Sequence, residues 1–277
     1  MYIDIHAHIN NDKLYEDCEE VVERAKKCKV EKIVNASYDR KSIERALLLA
    51  ERFDGVYATL GVHPHSAFEY DEETEELMLK NKDNKKVIAI GEIGLDYYDL
   101  ETQIAYIKEH NPEIETLTEE IVKQKQKEIF IKQIELAKKM ELPIVVHSRD
   151  ATAETLEIIK ANKENLKLGG LIHCFSGSTE IAKEYFKIGF YISVGGSITF
   201  KNARYIPEVV RQTGIDKVIL ETDCPYLSPE PYRGKTNEPK NVAIVAEKIA
   251  DILDLPYSEV EKITTNNALK LFSRLRW

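Results

Sequence analysis

The chain has 277 residues, enough for one large α/β domain or two smaller ones. Hydrophobic residues make up 43% of it, ordinary for a globular protein, yet no apolar run is long enough to span a bilayer. The formal net charge of −9 argues against broad attachment to nucleic acid or anionic lipid, although a local pair of cations can still attract a phosphorylated group.

The first ten residues carry the first signal. Tyr2, Ile3 and Ile5 suit a buried strand over residues 2–5. Asp4, His6 and His8 follow at spacing two and are expected to leave one face of that strand. Two imidazoles on one face at the carboxyl end of a strand can hold a divalent cation, and burying them without partners is costly. Residues 14–27 read as a helix, with Cys18, Val21, Val22 and Ala25 at helical spacing. Strand 32–36, helix 41–52 and strand 56–61 follow, the last running into His63-Pro64-His65. Helix 72–81 is acidic, and strand 87–91 leads into Glu92.

The rhythm breaks over residues 97–123, which are charged and show no strand pattern. A long amphipathic helix is predicted over 124–140. Alternation then resumes with strand 143–146 before His147, helix 152–162, strand 168–172 before His173, helix 179–188 and strand 190–194. Helix 203–213 and strand 217–220, before Glu221 and Asp223, complete the series; closing helices are predicted over 242–253 and 258–274.

Eight short, nearly continuous apolar strands separated by helices predict a (β/α)8 TIM barrel, a single domain over 1–277 with residues 97–123 inserted after the fourth strand. A doubly wound open sheet is the alternative. The barrel is preferred because polar clusters follow many of the strands, where barrel active sites collect. No charged-then-apolar leader precedes the first strand, so a cytoplasmic location is expected, with Cys18, Cys28, Cys174 and Cys224 reduced. Cys174 and Cys224 each follow a candidate ligand directly, and strand alternation assigns them to packing.

Six of the seven histidines, all but His110, fall at carboxyl ends of predicted strands: His6, His8, His63, His65, His147 and His173. Glu92 and Asp223 hold matching places on the fourth and eighth strands. Singly, Glu92 could cap a helix, Asp223 could cap a turn and His63 could be loop chemistry. Jointly these readings need six unrelated accidents at one end of one barrel. Zn, Mn, Ni and Co all favour such nitrogen and oxygen donors. Arg149 and Arg233 are placed evenly between solvated surface residues and substrate contacts.

The chain resembles the TatD family of metal-dependent deoxyribonucleases, within the amidohydrolase-like barrels. The matching segments are Asp4-Ile-His-Ala-His8, Gly61-Val-His-Pro-His65, Gly91-Glu-Ile-Gly-Leu-Asp-Tyr-Tyr98, Val146-His-Ser-Arg-Asp-Ala151, Ile172-His-Cys-Phe-Ser-Gly177, Leu220-Glu-Thr-Asp-Cys-Pro-Tyr-Leu227 and Arg233-Gly…Asn237-Glu-Pro239, in family order. The resemblance implies two divalent ions (Zn, Mn, Mg, Ni or Co). His6, His8, Glu92 and Asp223 would hold one; Glu92, His147 and His173 would hold the other, with Glu92 bridging. It also implies that His63, His65 and Arg149 face a substrate phosphate, with Arg233 as a further candidate. Glu221, two residues before Asp223, is expected to orient a ligand imidazole from behind, and Asp4 is given a similar supporting place.

The expected reaction is hydrolysis of a phosphodiester, most readily at DNA ends in a 3′-to-5′ direction. Glu92, Asp223 and His63 are the catalytic candidates: Asp223 to orient the attacking water or take its proton, His63 and Arg149 to offset phosphoryl charge. The partner is DNA or a short phosphodiester, with no membrane and no obligate protein partner. The alternative is a metal-dependent hydrolase of a carboxylic ester, amide or lactone, since the same site polarises a carbonyl. A metal-dependent binding protein is a third reading, disfavoured because Asp223 has no obvious use in binding alone. One departure from the family is the length of the stretch after Tyr98. Its acidic residues Asp99, Glu101, Glu109, Glu113, Glu115, Glu119 and Glu120 are expected to overhang the active-site mouth and disfavour long DNA.

Overall fold

The computed structural model describes residues 1–112, 114 and 116–276. Two members of the acidic stretch, Glu113 and Glu115, lie outside the described residues. Eight parallel strands pair in the order β1 to β8: β1 (Tyr2–Ala7), β2 (Val30–Ala36), β3 (Val56–Leu60), β4 (Val87–Asp96), β5 (Ile144–Arg149), β6 (Gly170–Ile172), β7 (Tyr191–Val194) and β8 (Val218–Leu220). The ring closes where Ala7 bridges Cys224, with His8 N–H donating to Cys224 O at 2.7 Å and Asp223 N–H to His6 O at 2.9 Å. This is the expected (β/α)8 barrel. No helix among the described residues is long and apolar enough to cross a membrane.

The helices are α1 (Cys18–Lys27), α2 (Arg40–Arg52), α3 (Glu72–Lys80), α4 (Leu100–His110), α5 (Glu119–Met140), α6 (Thr152–Ala161), α7 (Thr179–Lys187), α8 (Tyr205–Thr213), α9 (Val242–Leu253) and α10 (Tyr257–Leu271). Several starts are set by side chains that accept an otherwise unpaired amide, among them Asp39 for α2, Asp71 for α3 and Ser178 for α7. Helix α4 was not expected, and α5 begins five residues ahead of the predicted 124. Asp99 and Thr118 cap these two helices, accepting from Thr102 N–H and Ile121 N–H. The apolar residues of α4 are spread thinly, so hydrophobic periodicity missed what the caps announce.

Every strand supplies at least one residue to the barrel interior: Ile3, Ile5, Val34, Tyr57, Ile88, Val145, Leu171, Tyr191 and Ile219. Ala268, Phe272 and Leu275 of the C-terminal segment pack with them. Side chains alternate along a strand, so a step of two toward the carboxyl end stays inside the barrel. From Val145, Leu171, Tyr191 and Ile219 that step reaches His147, His173, Ser193 and Glu221. The apolar floor of the barrel thus sets the inward aim of the polar layer above it.

Register shifts in two regions, β1 and around β4, modify this pattern. The β1–β2 pairing shifts between Asp4 and Ala7, and the β3–β4 and β4–β5 ladders shift near Ala58/Thr59 and between Ile90 and Ile93. A one-residue shift exchanges the faces of a strand. The first shift corrects the expectation that Asp4 shares a face with His6 and His8. The Asp4 carboxylate instead accepts from Thr222 N–H at 2.9 Å and Thr222 Oγ1 at 2.6 Å, fastening β1 to the chain just after β8. The second region carries β4 past Gly91 to Asp96, so that Gly94 opposes His147. Gly94 has φ +147, and a Cβ there would fall 2.0 Å from His147 O, so only glycine fits.

Candidate metal centre

At the carboxyl ends of the strands lies a cleft of about 570 Å³. It is lined by His8, His63, His65, Glu92, Asp96, His147, Arg149, His173 and Asp223, with Tyr38, Tyr226 and Leu227 on its walls. Glu92 is buried at its base, and its two oxygens face different groups. Oε2 lies 3.3 Å from His6 Nε2 and 3.6 Å from His8 Nε2. Oε1 lies 2.8 Å from His147 Nδ1 and 3.1 Å from His173 Nε2. Asp223 joins the first group, with Oδ1 3.4 Å from His8 Nε2 and 3.9 Å from His6 Nε2.

Hydrogen bonds from behind set which ring nitrogens face the cleft. His8 Nδ1 meets Ala36 O at 3.1 Å and therefore carries the proton, leaving Nε2 as a lone pair. His173 Nδ1 lies 3.1 Å from Glu221 Oε2, which leaves its Nε2 toward Glu92. Glu221 is itself fully buried and held by Ser193 Oγ at 2.6 Å and Cys174 N–H at 2.8 Å, the expected orienting place. His63 Nδ1 accepts from His65 N–H at 3.2 Å, so His63 Nε2 bears the proton and is a donor. His6 Nδ1 is buried without a hydrogen-bond partner among the described residues.

Charge follows from this packing. Burial pushes Glu92 up, but His173, His6 and His147 outweigh it and hold the carboxylate well below its ordinary range. Asp223 is held low in the same way by His8 and His173 against its burial. His6 and His63 are pushed down, by burial first and by a neighbouring imidazole second, and so present neutral rings. Burial lowers His8, His147 and His173 too, but the facing carboxylates reverse the sign and raise them.

Three groups of donor atoms each gather within 4.8 Å: His6, His8 and Glu92; His63, Glu92 and His147; His6, His173 and Glu221. His6 and His8 Nε2 stand 3.1 Å apart, near the roughly 3.3 Å that separates two nitrogens on one tetrahedral cation at about 2.0–2.1 Å bond lengths. Ionised carboxylates facing imidazole nitrogens at this spacing fit divalent cations, which would take the place of the protons those carboxylates favour on His8, His147 and His173. In the second group, the proton on His63 Nε2 favours donation to a substrate oxygen over ligation.

Among the ionisable acids and imidazoles of the cleft, Asp96 was given no role by sequence reasoning. Asp96 Oδ2 lies 2.9 Å from His147 Nε2 and 3.1 Å from His65 Nε2. Despite burial, those two imidazoles hold its carboxyl far below the usual range. Its spacing of four from Glu92 on one strand was the available signal. Arg149 lines the cleft with its guanidinium 3.6 Å over the Tyr98 ring. Arg233 does not line it; its guanidinium stacks 3.8 Å over Phe200. Nor do the acidic residues Asp99, Glu101, Glu109, Glu119 and Glu120. Instead, Leu100 and Ile107 of α4 pack against Leu117 and Val122 beside the barrel. From α5, Gln126 bonds both Asp96 N–H and Asp96 O, at 2.9 and 3.0 Å, and Gln103 of α4 donates to Asp96 O at 3.2 Å. The described part of the insertion buttresses the end of β4, with its apolar face packed against α5 and Phe68.

A parallel eight-stranded barrel with a carboxylate shared between two imidazole clusters at its carboxyl face is the framework of a metal-dependent hydrolase. The particular family follows from comparison: the family model described as "TatD related DNase" matches residues 3–273, and the chain belongs to that family. It is 43% identical to the "uncharacterized metal-dependent hydrolase YabD" of Bacillus subtilis, covering 98% of this chain and 99% of that protein. It is 32% identical to the human "deoxyribonuclease TATDN3", covering 99% and 95%. The crystal structure of YJJV, a TatD homolog from Escherichia coli, superposes with a TM-score of 0.85 at 28% identity over 98% of both chains. The protein is accordingly an enzyme, a metal-dependent hydrolase of the TatD family.

Proposed function

We propose that this protein is a two-cation phosphodiesterase that removes nucleotides from DNA ends in the 3′-to-5′ direction. The observation that carries the reading is the division of Glu92, one oxygen toward His6 and His8 and the other toward His147 and His173. On this reading His6, His8, Glu92 and Asp223 hold one ion, and Glu92, His147 and His173 hold the other. Zn, Mn, Mg, Ni and Co remain the candidate ions. Divalent ions held there would make a water more acidic and offset charge on the phosphoryl oxygens.

The chain's own residues supply the rest. Asp223, ionised and at the edge of the first group, orients the attacking water and takes its proton. His63 donates from Nε2 to a non-bridging oxygen, and Arg149, braced on Tyr98, offers a charged donor beside it. His65, paired with Asp96, stands at the same wall. A cleft of about 570 Å³ takes a ligand of drug-like size, which suits a terminal nucleotide better than a length of duplex. The human relative's name, deoxyribonuclease, agrees with this substrate.

The test is turnover of bis-p-nitrophenyl phosphate against p-nitrophenyl acetate by metal-reconstituted protein, followed by single strands blocked at either the 3′ or the 5′ end. Hydrolysis of the diester and loss of activity with a 3′ block are expected. Preferential cleavage of the acetate would favour the carboxylic-ester alternative and overturn the proposal.

A further inference from the structure

A second depression, of about 580 Å³, lies beside α8 and α9. Thr199, Phe200, Lys201, Arg204, Arg211 and Lys248 are among its lining residues, and none of the lining residues is acidic. Arg211 is paired with Glu208 at 3.5 Å. Lys201, Arg204 and Lys248 have no ion pair or side-chain hydrogen bond among the described residues. Arg24, Arg40, Arg45 and Arg52, by contrast, each find a carboxylate. Unpaired cations around a concavity in an acidic protein form a local anion site that the net charge conceals.

The depression shares a wall with the catalytic cleft. Leu227 lines the cleft, and Gly196 approaches it so closely that a Cβ on Gly196 would fall 2.2 Å from Leu227 O. Three residues on, Thr199 lines the depression and accepts from Glu230 N–H at 2.9 Å. Arg233, from the same loop as Leu227, lies over Phe200. Aromatic faces accompany the charges. Tyr226 on the cleft wall is 46% exposed, Tyr232 beside Arg233 is 41% exposed, and Tyr205 next to Arg204 is 73% exposed. Phe200 lines the depression with Arg233 stacked on it, and Tyr226 lines the cleft with Lys13 over its ring, so a ring and a cation stand on each side of the shared wall; this matches a single-stranded nucleic acid, whose bases stack on rings while its phosphates meet charge. A lipid headgroup or free phosphate has no use for the rings.

We propose that this groove carries the remainder of a single-stranded nucleic acid while its end occupies the catalytic cleft; the proposal rests on the phosphodiesterase reading above and gives Arg233 a place on the path between the two. Because the groove is more basic than the cleft's surroundings, it also explains how an acidic protein retains a polymer.

The experiment measures binding of a fluorescent 20-nucleotide single strand in chelator, so that no cleavage occurs, as a function of salt. Wild type is compared with the triple variant Lys201→Gln, Arg204→Gln, Lys248→Gln. A control triple variant, Lys29→Gln, Lys85→Gln, Lys167→Gln, removes the same charge just before β2, β4 and β6, at the opposite end of the barrel. Each phosphate contact on a single strand contributes about 0.7 to the slope of log Kd against log salt, so the groove variant should lose about 2 from the slope and bind at least tenfold more weakly at low salt. The control should follow wild type. Tyr205→Ala and the single Arg204→Gln, each confirmed folded by thermal melting, guard against a triple variant that does not fold; Tyr205→Ala should weaken binding with the slope unchanged. Equal affinity and slope in the groove and control variants, or no strand binding by wild type, would overturn the groove. Failure of wild type to hydrolyse bis-p-nitrophenyl phosphate would instead overturn the catalytic reading, a separate result.

Discussion

Asp96 Oδ2 lies 2.9 Å from His147 Nε2, on the side of the ring opposite the 2.8 Å contact between Nδ1 and Glu92 Oε1. The imidazole is therefore clamped between two carboxylates, one at the shared position and one at the rim. A carboxylate behind a ligand histidine fixes the ring and raises its basicity, and its loss typically costs 10–100-fold in metal affinity or activity. Asp96→Asn should keep the fold and reduce metal retention against a competing chelator by about tenfold or more. Unchanged metal content and kcat/KM in this variant would remove Asp96 from the site.

The insertion contributes through Gln126, whose amide satisfies Asp96 N–H and Asp96 O together. Gln126→Leu leaves Asp96 N–H without its partner in a buried place, while Asp96 O keeps only the bond from Gln103. A buried group left without a partner costs about 1–3 kcal/mol. The variant should melt earlier and also bind metal less tightly, because the end of β4 loses its anchor. A lower melting temperature with full metal affinity would limit the buttress to stability.

Asp223→Asn preserves shape and hydrogen-bonding reach but removes the charge and the proton acceptor. We expect kcat on a small diester to fall at least a hundredfold, within the range lost with a general base, while the circular dichroism spectrum is retained. Wild-type kcat in Asp223→Asn would show that another group positions the water.

Metal analysis by elemental emission should find up to two divalent ions per chain after reconstitution. Glu92→Gln should lower that number more than His63→Ala does, since Glu92 faces both clusters and His63 Nε2 carries a proton. A single ion in wild type, or equal losses in both variants, would contradict the shared-carboxylate arrangement.

Much of this protein was written locally. The alternation of short apolar strands with helices, the His6-x-His8 pair, and the placement of His63, His147, His173, Glu92 and Asp223 after apolar runs were enough for the barrel and for most of the titratable groups gathered in its cleft. Each of these depends on a strand's own period, which a sequence displays directly. Tertiary pairing decided the rest. The register shift in β1 sent Asp4 to Thr222 rather than to the cleft, and β4 ran on past Gly91 to bring in Asp96. Proton positions on His8, His63 and His173 were decided by Ala36 O, His65 N–H and Glu221, residues on other strands or loops. Arg233 went to Phe200, and helix α4 packed with Leu117 and Val122 beside the barrel. Periodicity reports which face a side chain leaves only while the ladder keeps its register, and register belongs to the neighbouring strand.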